Sequence, residues 1–258
     1  MQIASGLVEY LREMDRQVEG WFSPADGLAI GECLRLQETE GVKGDVAEIG
    51  VHHGKSFLAI AIGARLGEIA YAIDIFDKQN LNIDKSGSGN LDKFLANCRK
   101  FPLRATVKPL AMSSLELARR EKEFLTPLRF LSIDGGHTRD ITRNDLEIAD
   151  RILVEQGICC VDDIIHFDWP GVISGVIAFL SKSSIWDRPN LVPFALLPKK
   201  LYFCRPQLRA LRQKQFREAF GAALVKADNE IGPCLVDSYN INFQKHVAAC
   251  METAQQPQ

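Results

Sequence analysis

Short apolar runs alternate with longer amphipathic segments along the chain from about Lys43 onward. The apolar runs are typical of buried strands, and the segments between them repeat apolar residues at helical spacing. Such alternation indicates strand–helix units repeated around a parallel sheet. The predicted strands are, in chain order, DVAEIG, IAYAID, ATVKPL, LRFLSID and ICCVDD, and the helices that follow the first four are KSFLAIAIGARLG, NLDKFLANCRKF, SLELARREKEF and TRNDLEIADRILVEQG.

The pattern changes after the helix-like segment GVISGVIAFLSKS. Two apolar runs, LVPFAL and KLYFCR, are separated there only by Leu197, Pro198 and Lys199. This connection is too short for a helical crossover and predicts an antiparallel hairpin. The expected fold is therefore α/β, with five strand–helix units and a closing hairpin that bring the strand count to seven.

The chain is expected to form one domain over residues 1–258, because no composition shift marks a linker. Residues 43–205 contain the strand–helix pattern. Residues 1–42 and 206–258 are predicted to be helical extensions before and after that core. They could cover a substrate or form a homo-oligomer contact, and the sequence favours neither.

Composition restricts the class of partner. A hydrophobic fraction of 46% with 25% charged residues is typical of a globular protein with a large core. The formal net charge of -2 gives no basic excess for nucleic acid or for an anionic membrane, so a small-molecule partner is expected. Seven cysteines without CxxC spacing, and the absence of a long apolar stretch, indicate a reducing compartment and a cytoplasmic protein.

The stretch GDVAEIGVHHGKS joins the first strand to its helix and predicts a ligand site. A strand that ends in glycine and leads into a helix places backbone N–H groups at the carboxyl edge of the sheet, where open α/β folds bind ligands. His52 occupies the position at which a dinucleotide motif needs its middle glycine, which argues against a pyrophosphate. Glu48 adds a carboxylate suited to a cationic or amino group. S-adenosylmethionine, a nucleoside without phosphates, meets both conditions.

VAEIGVHHGKS resembles the first motif of small-molecule O-methyltransferases of the class I S-adenosylmethionine-dependent type. YAIDIFD and PLAMSS follow at the next two strand ends, as the family pattern requires, although Met112 stands where the family often has an acidic residue. The resemblance covers residues 43–205 and implies a Rossmann-like methyltransferase sheet of seven strands, mostly parallel with the last strand antiparallel, and with helices on both faces. It also implies Asp74 on the ribose and Ser113 on the adenine. The cofactor contacts implied in this way are Glu48, Gly50, His52, Gly54, Ser56, Asp74, Ile75, Ser113 and Asp134.

Acidic residues end the fourth and fifth strands, in LSIDGGHTRD and CCVDDIIHFDW. Asp134, Asp162 and Asp163 are therefore expected on adjacent strand tips, where a divalent cation would relieve their repulsion. Hard oxygen ligands suit Mg²⁺ first, with Mn²⁺ and Ca²⁺ as alternatives. These positions resemble the metal-binding acids of catechol-type and macrolide-sugar O-methyltransferases, except that Asp163 replaces the amide of the catechol-type enzymes.

His137 follows Asp134 by three residues, where the catechol-type family carries a lysine that acts as a base. Histidine titrates near neutral pH, so His137 is the predicted general base, with a helix-capping or backbone-bonded role as the alternative. His166, Asp168 and Trp169 are candidates for the substrate wall or for plain loop packing. The long polar segment DKQNLNIDKSGSGN is expected to be either a mobile lid or a flexible loop.

The predicted function is metal-assisted transfer of a methyl group from S-adenosylmethionine to a small-molecule hydroxyl. Two alternatives remain at this stage. A metal-dependent hydrolase would use as ligands His52, His53, Asp134, His137, Asp162 and Asp163. A non-catalytic S-adenosylmethionine-binding protein would keep the nucleoside pocket without a working acceptor site. The acceptor itself cannot be read from the sequence.

Overall fold

A computed structural model of the chain describes residues 5–181, 189–197, 199–221, 224–227, 234–236 and 251. The strands in these residues are β1 (Asp45–Ile49), β2 (Ile69–Asp74), β3 (Thr106–Ala111), β4 (Leu128–Ile133), β5 (Leu153–Val161), β6 (Val192–Leu197), β7 (Lys200–Cys204), β8 (Val225–Ala227) and β9 (Cys234–Val236). The helices are α1 (Ser5–Gln17), α2 (Pro24–Thr39), α3 (Lys55–Gly63), α4 (Leu91–Cys98), α5 (Ser114–Leu117), α6 (Glu121–Phe124), α7 (Arg139–Ile152), α8 (Pro170–Leu180) and α9 (Arg209–Phe220).

One sheet contains all the described strands, in the order β3-β2-β1-β4-β5-β7-β6-β9-β8. Strands β1 to β5 pair in parallel, and β7 is antiparallel to both β5 and β6. The predicted α/β class, parallel sheet and closing hairpin are confirmed. Because the chain returns from β3 to the other side of β1, the crevice for a ligand lies beyond the carboxyl ends of β1 and β4.

The predicted strand count of seven is wrong, because β8 and β9 extend the sheet beyond β6. Residues 206–258 were predicted to be helical, which is correct for α9 but wrong for β8 and β9. Residues 1–42 contain the helices α1 and α2, as predicted. Each added strand has only three residues, too few for an alternating pattern to be visible in the sequence. Their pairing covers the edge that β6 would otherwise expose.

Two predicted helices differ in their bounds. TRNDLEIADRILVEQG ends as a helix at Ile152, and the rest of that segment enters β5. Arg205 stabilises this junction, because its guanidinium donates to the backbone oxygen of Leu153 at 2.7 Å and to the carboxylate of Asp150 at 2.7 Å. SLELARREKEF divides into α5 and α6 at Arg120, whose backbone leaves the helical conformation.

Two apolar layers bury the sheet. Helices α1 to α4 and α9 pack on one face, with side chains such as Met14, Phe57 and Phe216 fully buried. Helices α5, α7 and α8 cover the other face. Burial on both sides explains why neighbouring positions in β1 and β4, and not only alternate ones, are apolar. None of the helices in the described ranges combines the length and apolar character that a membrane crossing requires.

Candidate active site

A cleft of about 430 Å³ opens at the carboxyl ends of the parallel strands. This size is within the usual range for small-molecule sites. Most of the residues that the sequence predicted for cofactor, metal or catalysis share its wall. They are Gly50, His52, Ser56, Asp74, Ile75, Ser113, Asp134, His137, Asp162 and Asp163.

The turn after β1 depends on Gly50. Its φ of 82° is in the left-handed region, and a β-carbon at this position would lie 1.9 Å from the backbone oxygen of Asp134. A side chain here would therefore separate the tips of β1 and β4. Gly54 has a φ of 93° and begins α3, where a β-carbon would meet the ring of Phe94 at 3.0 Å. Gly54 shapes the turn and does not line the cleft.

Asp74 holds the same turn from the end of β2. One carboxylate oxygen accepts hydrogen bonds from the backbone N–H groups of Val51 and His52, both at 2.8 Å, and the other accepts from that of Phe76 at 2.6 Å. The side chain also lines the cleft. A carboxylate has further lone pairs for a ligand. The ribose contact of Asp74 therefore stays a prediction, beside its observed role in ordering the backbone.

Glu48 lies behind the turn and not on the cleft wall, where we predicted it. The side chain is fully buried, and Ser56 Oγ donates to its carboxylate at 3.0 Å. Burial raises the pKa of Glu48 to about 7, against the opposing influences of Lys200 and of the Ser56 hydrogen bond. Glu48 therefore supports Ser56, which does reach the cleft, instead of contacting a cofactor itself.

Asp134, His137 and Asp163 each offer a ligand atom, and these atoms all lie within 4.8 Å of one another. Two carboxylates and an imidazole suit a divalent cation with open positions for water or substrate. The residues present therefore fit the predicted metal. The trio differs from the predicted set of Asp134, Asp162 and Asp163, because His137 takes the place of Asp162.

Asp162 is instead paired with Lys200, a residue that sequence reasoning missed. The lysine is completely buried, with its Nζ 2.6 Å from Asp162 Oδ2 and 3.9 Å from Asp134 Oδ2. Burial opposes the ammonium charge, but these carboxylates hold the pKa of Lys200 well above its usual value. Lys200 in turn lowers the pKa of Asp162 despite its burial. A lysine opening the apolar run KLYFCR was the only signal in the sequence.

His137 is fixed on three sides. Its Nδ1 lies 3.0 Å from Asp84 Oδ2, its Nε2 lies 3.4 Å from Asp163 Oδ2, and its ring stacks on Trp169 with 4.4 Å between ring centroids. Burial disfavours the imidazolium, but the carboxylates of Asp163 and Asp84 outweigh it and raise the pKa of His137. Asp84 belongs to the long loop after β2, and its sequence context gave no sign of this contact.

The remaining candidates divide between the cleft and its surroundings. Ser113 lines the cleft and caps α5 by accepting from the Glu116 N–H at 3.2 Å, so its adenine contact stays a prediction. His166 and Trp169 also line the cleft, whereas Asp168 is not part of the described wall.

His53 is buried behind His52, with 3.8 Å between their ring centroids. Among the described residues, neither of these two histidines joins the acidic cluster, as the hydrolase interpretation required.

Comparisons with known proteins agree with this geometry. A family model described as a methyltransferase domain matches residues 47–164. The O-methyltransferase NovP superposes with a TM-score of 0.54 at 16% identity, covering 77% of this chain and 96% of NovP. An O-methyltransferase from Bacillus cereus, solved with S-adenosylhomocysteine, has a TM-score of 0.45 at 16% identity over 90% of this chain and 89% of its own. Of these two structures, only NovP superposes with a TM-score above 0.5, and at 16% identity its likeness concerns the fold alone. No curated protein sequence matches this chain significantly.

Proposed function

We propose that this chain, an S-adenosylmethionine-dependent methyltransferase by its domain match and its fold, methylates a hydroxyl group of a small molecule with the help of a divalent cation. The observation that carries the proposal is the meeting of two constellations in one cleft. The turn from Gly50 to His52 with Asp74 forms one side, and Asp134, His137 and Asp163 form the other.

The cofactor would lie along the first constellation. Asp74 keeps acceptor capacity toward ribose hydroxyls while it orders the turn, and Ile75, Met112 and Ser113 provide a mixed apolar and polar wall suited to adenine. His52 lines the cleft beside this wall and offers its ring to the cofactor there. S-adenosylmethionine, when bound, supplies an electrophilic methyl group.

Asp134 and Asp163 would hold the cation at the other side. A bound Mg²⁺ supplies a Lewis acid that lowers the pKa of a coordinated hydroxyl. Lys200 keeps Asp162 ionised and fixes its direction, so the acidic tips stay ordered without a metal. His137 Nε2 faces Asp163 and is the nearest basic atom for the acceptor proton. As a base it must be neutral, and its raised pKa predicts turnover that increases with pH above the usual range of histidine.

The cleft mouth favours an acceptor with an apolar body. Six of the nine large apolar side chains that are exposed in the described structure lie on the segments around the cleft: Trp21, Leu81, Ile83, Leu115, Ile165 and Phe167. Clustered exposed apolar surface is uncommon except at interaction sites. A hydroxylated molecule whose ring or chain packs on this rim, with its hydroxyl at the acidic cluster, meets both features.

Calorimetric titration with S-adenosylhomocysteine tests the cofactor, with Mg²⁺ present and again with excess chelator. Methyl transfer from radiolabelled S-adenosylmethionine to surrogate phenols tests the acceptor chemistry. We expect cofactor binding in both conditions and transfer only with Mg²⁺. Binding without transfer to any acceptor would favour the scaffold alternative, and a bound metal without cofactor binding would favour the hydrolase. Full activity in excess chelator would remove the cation from the proposal.

The variant His137→Ala separates two roles for the imidazole. If His137 is the base, kcat falls by roughly 10²–10⁴ while affinity for S-adenosylhomocysteine and for Mn²⁺ is retained. Loss of Mn²⁺ affinity would instead identify it as the third metal ligand. His166→Ala is the matched control, because this second cleft histidine is expected to change the KM of the acceptor more than kcat. Unchanged kcat and pH profile in His137→Ala would assign proton removal to another group.

A further inference from the structure

The loop between β2 and α4 is ordered across the cleft by its own side chains. Asn82 Nδ2 donates to the backbone oxygen of Gly87 at 2.7 Å, and Asn82 Oδ1 accepts from the Lys85 N–H at 2.9 Å. Together these bonds close a compact turn around Asp84. Residues from this loop line the cleft, including Leu81, Ile83 and Asp84 themselves.

Asp84 uses both carboxylate oxygens at the inner end of this turn. Its Oδ2 accepts a hydrogen bond from the backbone N–H of His137 and lies 3.0 Å from Nδ1 of the same residue. Its Oδ1 accepts from the backbone N–H of Ser86 at 3.1 Å. The side chain is only 10% exposed. A carboxylate held in this way has little freedom to leave the imidazole while the loop stays in place.

We propose that Asp84 is a positioning residue that fixes the tautomer and direction of the His137 ring. An ionised carboxylate can only accept, and two of them face the ring: Asp84 Oδ2 at 3.0 Å from Nδ1 and Asp163 Oδ2 at the longer distance of 3.4 Å from Nε2. The shorter contact is the hydrogen bond, so a neutral His137 carries its proton on Nδ1 and presents the lone pair of Nε2. That lone pair faces Asp163 at 3.4 Å, and the stacked ring of Trp169 restrains rotation. The loop thereby orients the imidazole of His137 in the cleft, although Asp84 and His137 are 53 residues apart in sequence.

The consequence for catalysis rests on the proposed function, but the tautomer does not. If Nε2 takes the acceptor proton or binds the cation, Asp84 supplies the orientation that either role needs. Carboxylates that orient an imidazole in this way usually contribute about 10-fold to 100-fold to activity or metal affinity. Because Asp84 is on the loop, displacement of the loop from the cleft would also release the His137 ring.

Nitrogen NMR of the ¹⁵N-histidine-labelled protein without metal or cofactor reads the tautomer directly. The sequence has five histidines, and the spectrum of His137→Gln identifies the signal of interest. At about pH 9.5, well above the usual pKa of histidine, we expect the wild type to show a proton on Nδ1. Asp84→Ala should transfer a measurable fraction of the proton to Nε2. Asp84→Asn should keep the wild-type tautomer, because the amide oxygen also accepts.

Asp77→Ala is the matched control within the same loop. Its carboxylate accepts from the Asn90 side chain and from the Leu91 N–H, at the start of α4, and makes no contact with His137 in the described structure. We expect it to leave the His137 signal unchanged. In methyl transfer, Asp84→Ala should lower kcat by about 10-fold to 100-fold with partial rescue in Asp84→Asn. A wild-type proton on Nε2, or a tautomer unaffected by Asp84→Ala, overturns the proposal whether or not the protein methylates any acceptor tested.

Discussion

Two clusters of buried charge lie at opposite ends of the same strands, and they are built differently. At the amino ends, Arg129 donates to both oxygens of Glu68, at 2.9 and 2.8 Å, and to Gln37 Oε1 at 3.0 Å. At the carboxyl ends, the fully buried ammonium of Lys200 lies among the buried carboxyl groups of Asp26 and Glu48 and the partly exposed ones of Asp134 and Asp162. The first cluster is balanced in charge, whereas the second has an excess of acid.

The difference separates a structural cluster from a functional one. Arg129 and Glu68 satisfy each other, so removing Glu68 leaves a buried guanidinium without its ion-pair partner, and removing Arg129 leaves Glu68 with Arg65 alone. In the second cluster, one oxygen of Glu48 and one of Asp26 accept no hydrogen bond within the described chain. Burial raises the pKa values of Asp26, Glu48 and Asp134, and acidic groups perturbed in this way beside a cleft are typical of functional sites. The comparison therefore predicts different responses to mutation at the two ends.

The largest expected effect is on stability, at the balanced cluster. Arg129→Ala leaves Glu68 with only Arg65 as a cation and is expected to lower the free energy of unfolding by about 3–5 kcal/mol. Urea unfolding measures this change in the free energy of unfolding. The affinity for S-adenosylhomocysteine is the second readout, and we expect it to be unchanged in the folded fraction. Arg120→Ala, which breaks an exposed pair with Glu123, is the control and should change stability little. A small effect of Arg129→Ala would mean that Arg65 alone balances Glu68.

A smaller effect is expected at the cleft, and on binding. Asp74→Asn should weaken the binding of S-adenosylhomocysteine by about 1.5–3 kcal/mol. The substitution removes the negative charge that accepts hydrogen bonds from the turn and, as predicted, from the ribose hydroxyls. Calorimetry gives the affinity, and amide exchange at Val51 and His52 reports the turn separately. Asp77→Asn is the control in the following loop. Normal affinity in a folded Asp74→Asn protein would leave Asp74 a purely structural residue.

The last expected effect is a difference in pH dependence. The raised pKa of Glu48, about 7, means that its contribution to stability is present below pH 4.5 and is lost as the pH rises toward 7. Burial opposes ionisation of Glu68, but Arg129 and Arg65 lower its pKa, so its contribution is present at neutral pH and is lost on acidification. In Glu48→Gln, the free energy of unfolding should decline less between about pH 4.5 and 7 than in the wild type. In Glu68→Gln, it should decline less on acidification. Urea unfolding at a series of pH values measures both effects. If the slope of the unfolding free energy against pH is the same in Glu48→Gln as in the wild type, Glu48 does not ionise between about pH 4.5 and 7.

The sequence was sufficient for the parts that depend on local pattern. Strands β1, β2 and β4 to β7 were identifiable because burial on both faces makes them largely apolar. The edge strand β3 was identifiable from its place in the alternation of strands and helices. Strand ends placed Asp74, Asp134 and Asp163 at one edge. Lys200 and Asp84 were missed because their partners lie 38 and 53 residues away. A polar residue at the start of an apolar strand, or within a long loop, has no pattern that reveals such a contact. Glu48 was misplaced because strand alternation does not distinguish a cleft wall from a buried layer.

The position of Lys200 on β7 also has a consequence for the order of folding. Strand β7 inserts between β5 and β6 and comes last among the strands that surround the acidic tips. A folding intermediate that contains only β1 to β5 would carry the mutual repulsion of Asp134 and Asp162 with no cation between them. Insertion of the hairpin relieves that repulsion, so the pairing of β7 with β5 also completes the site.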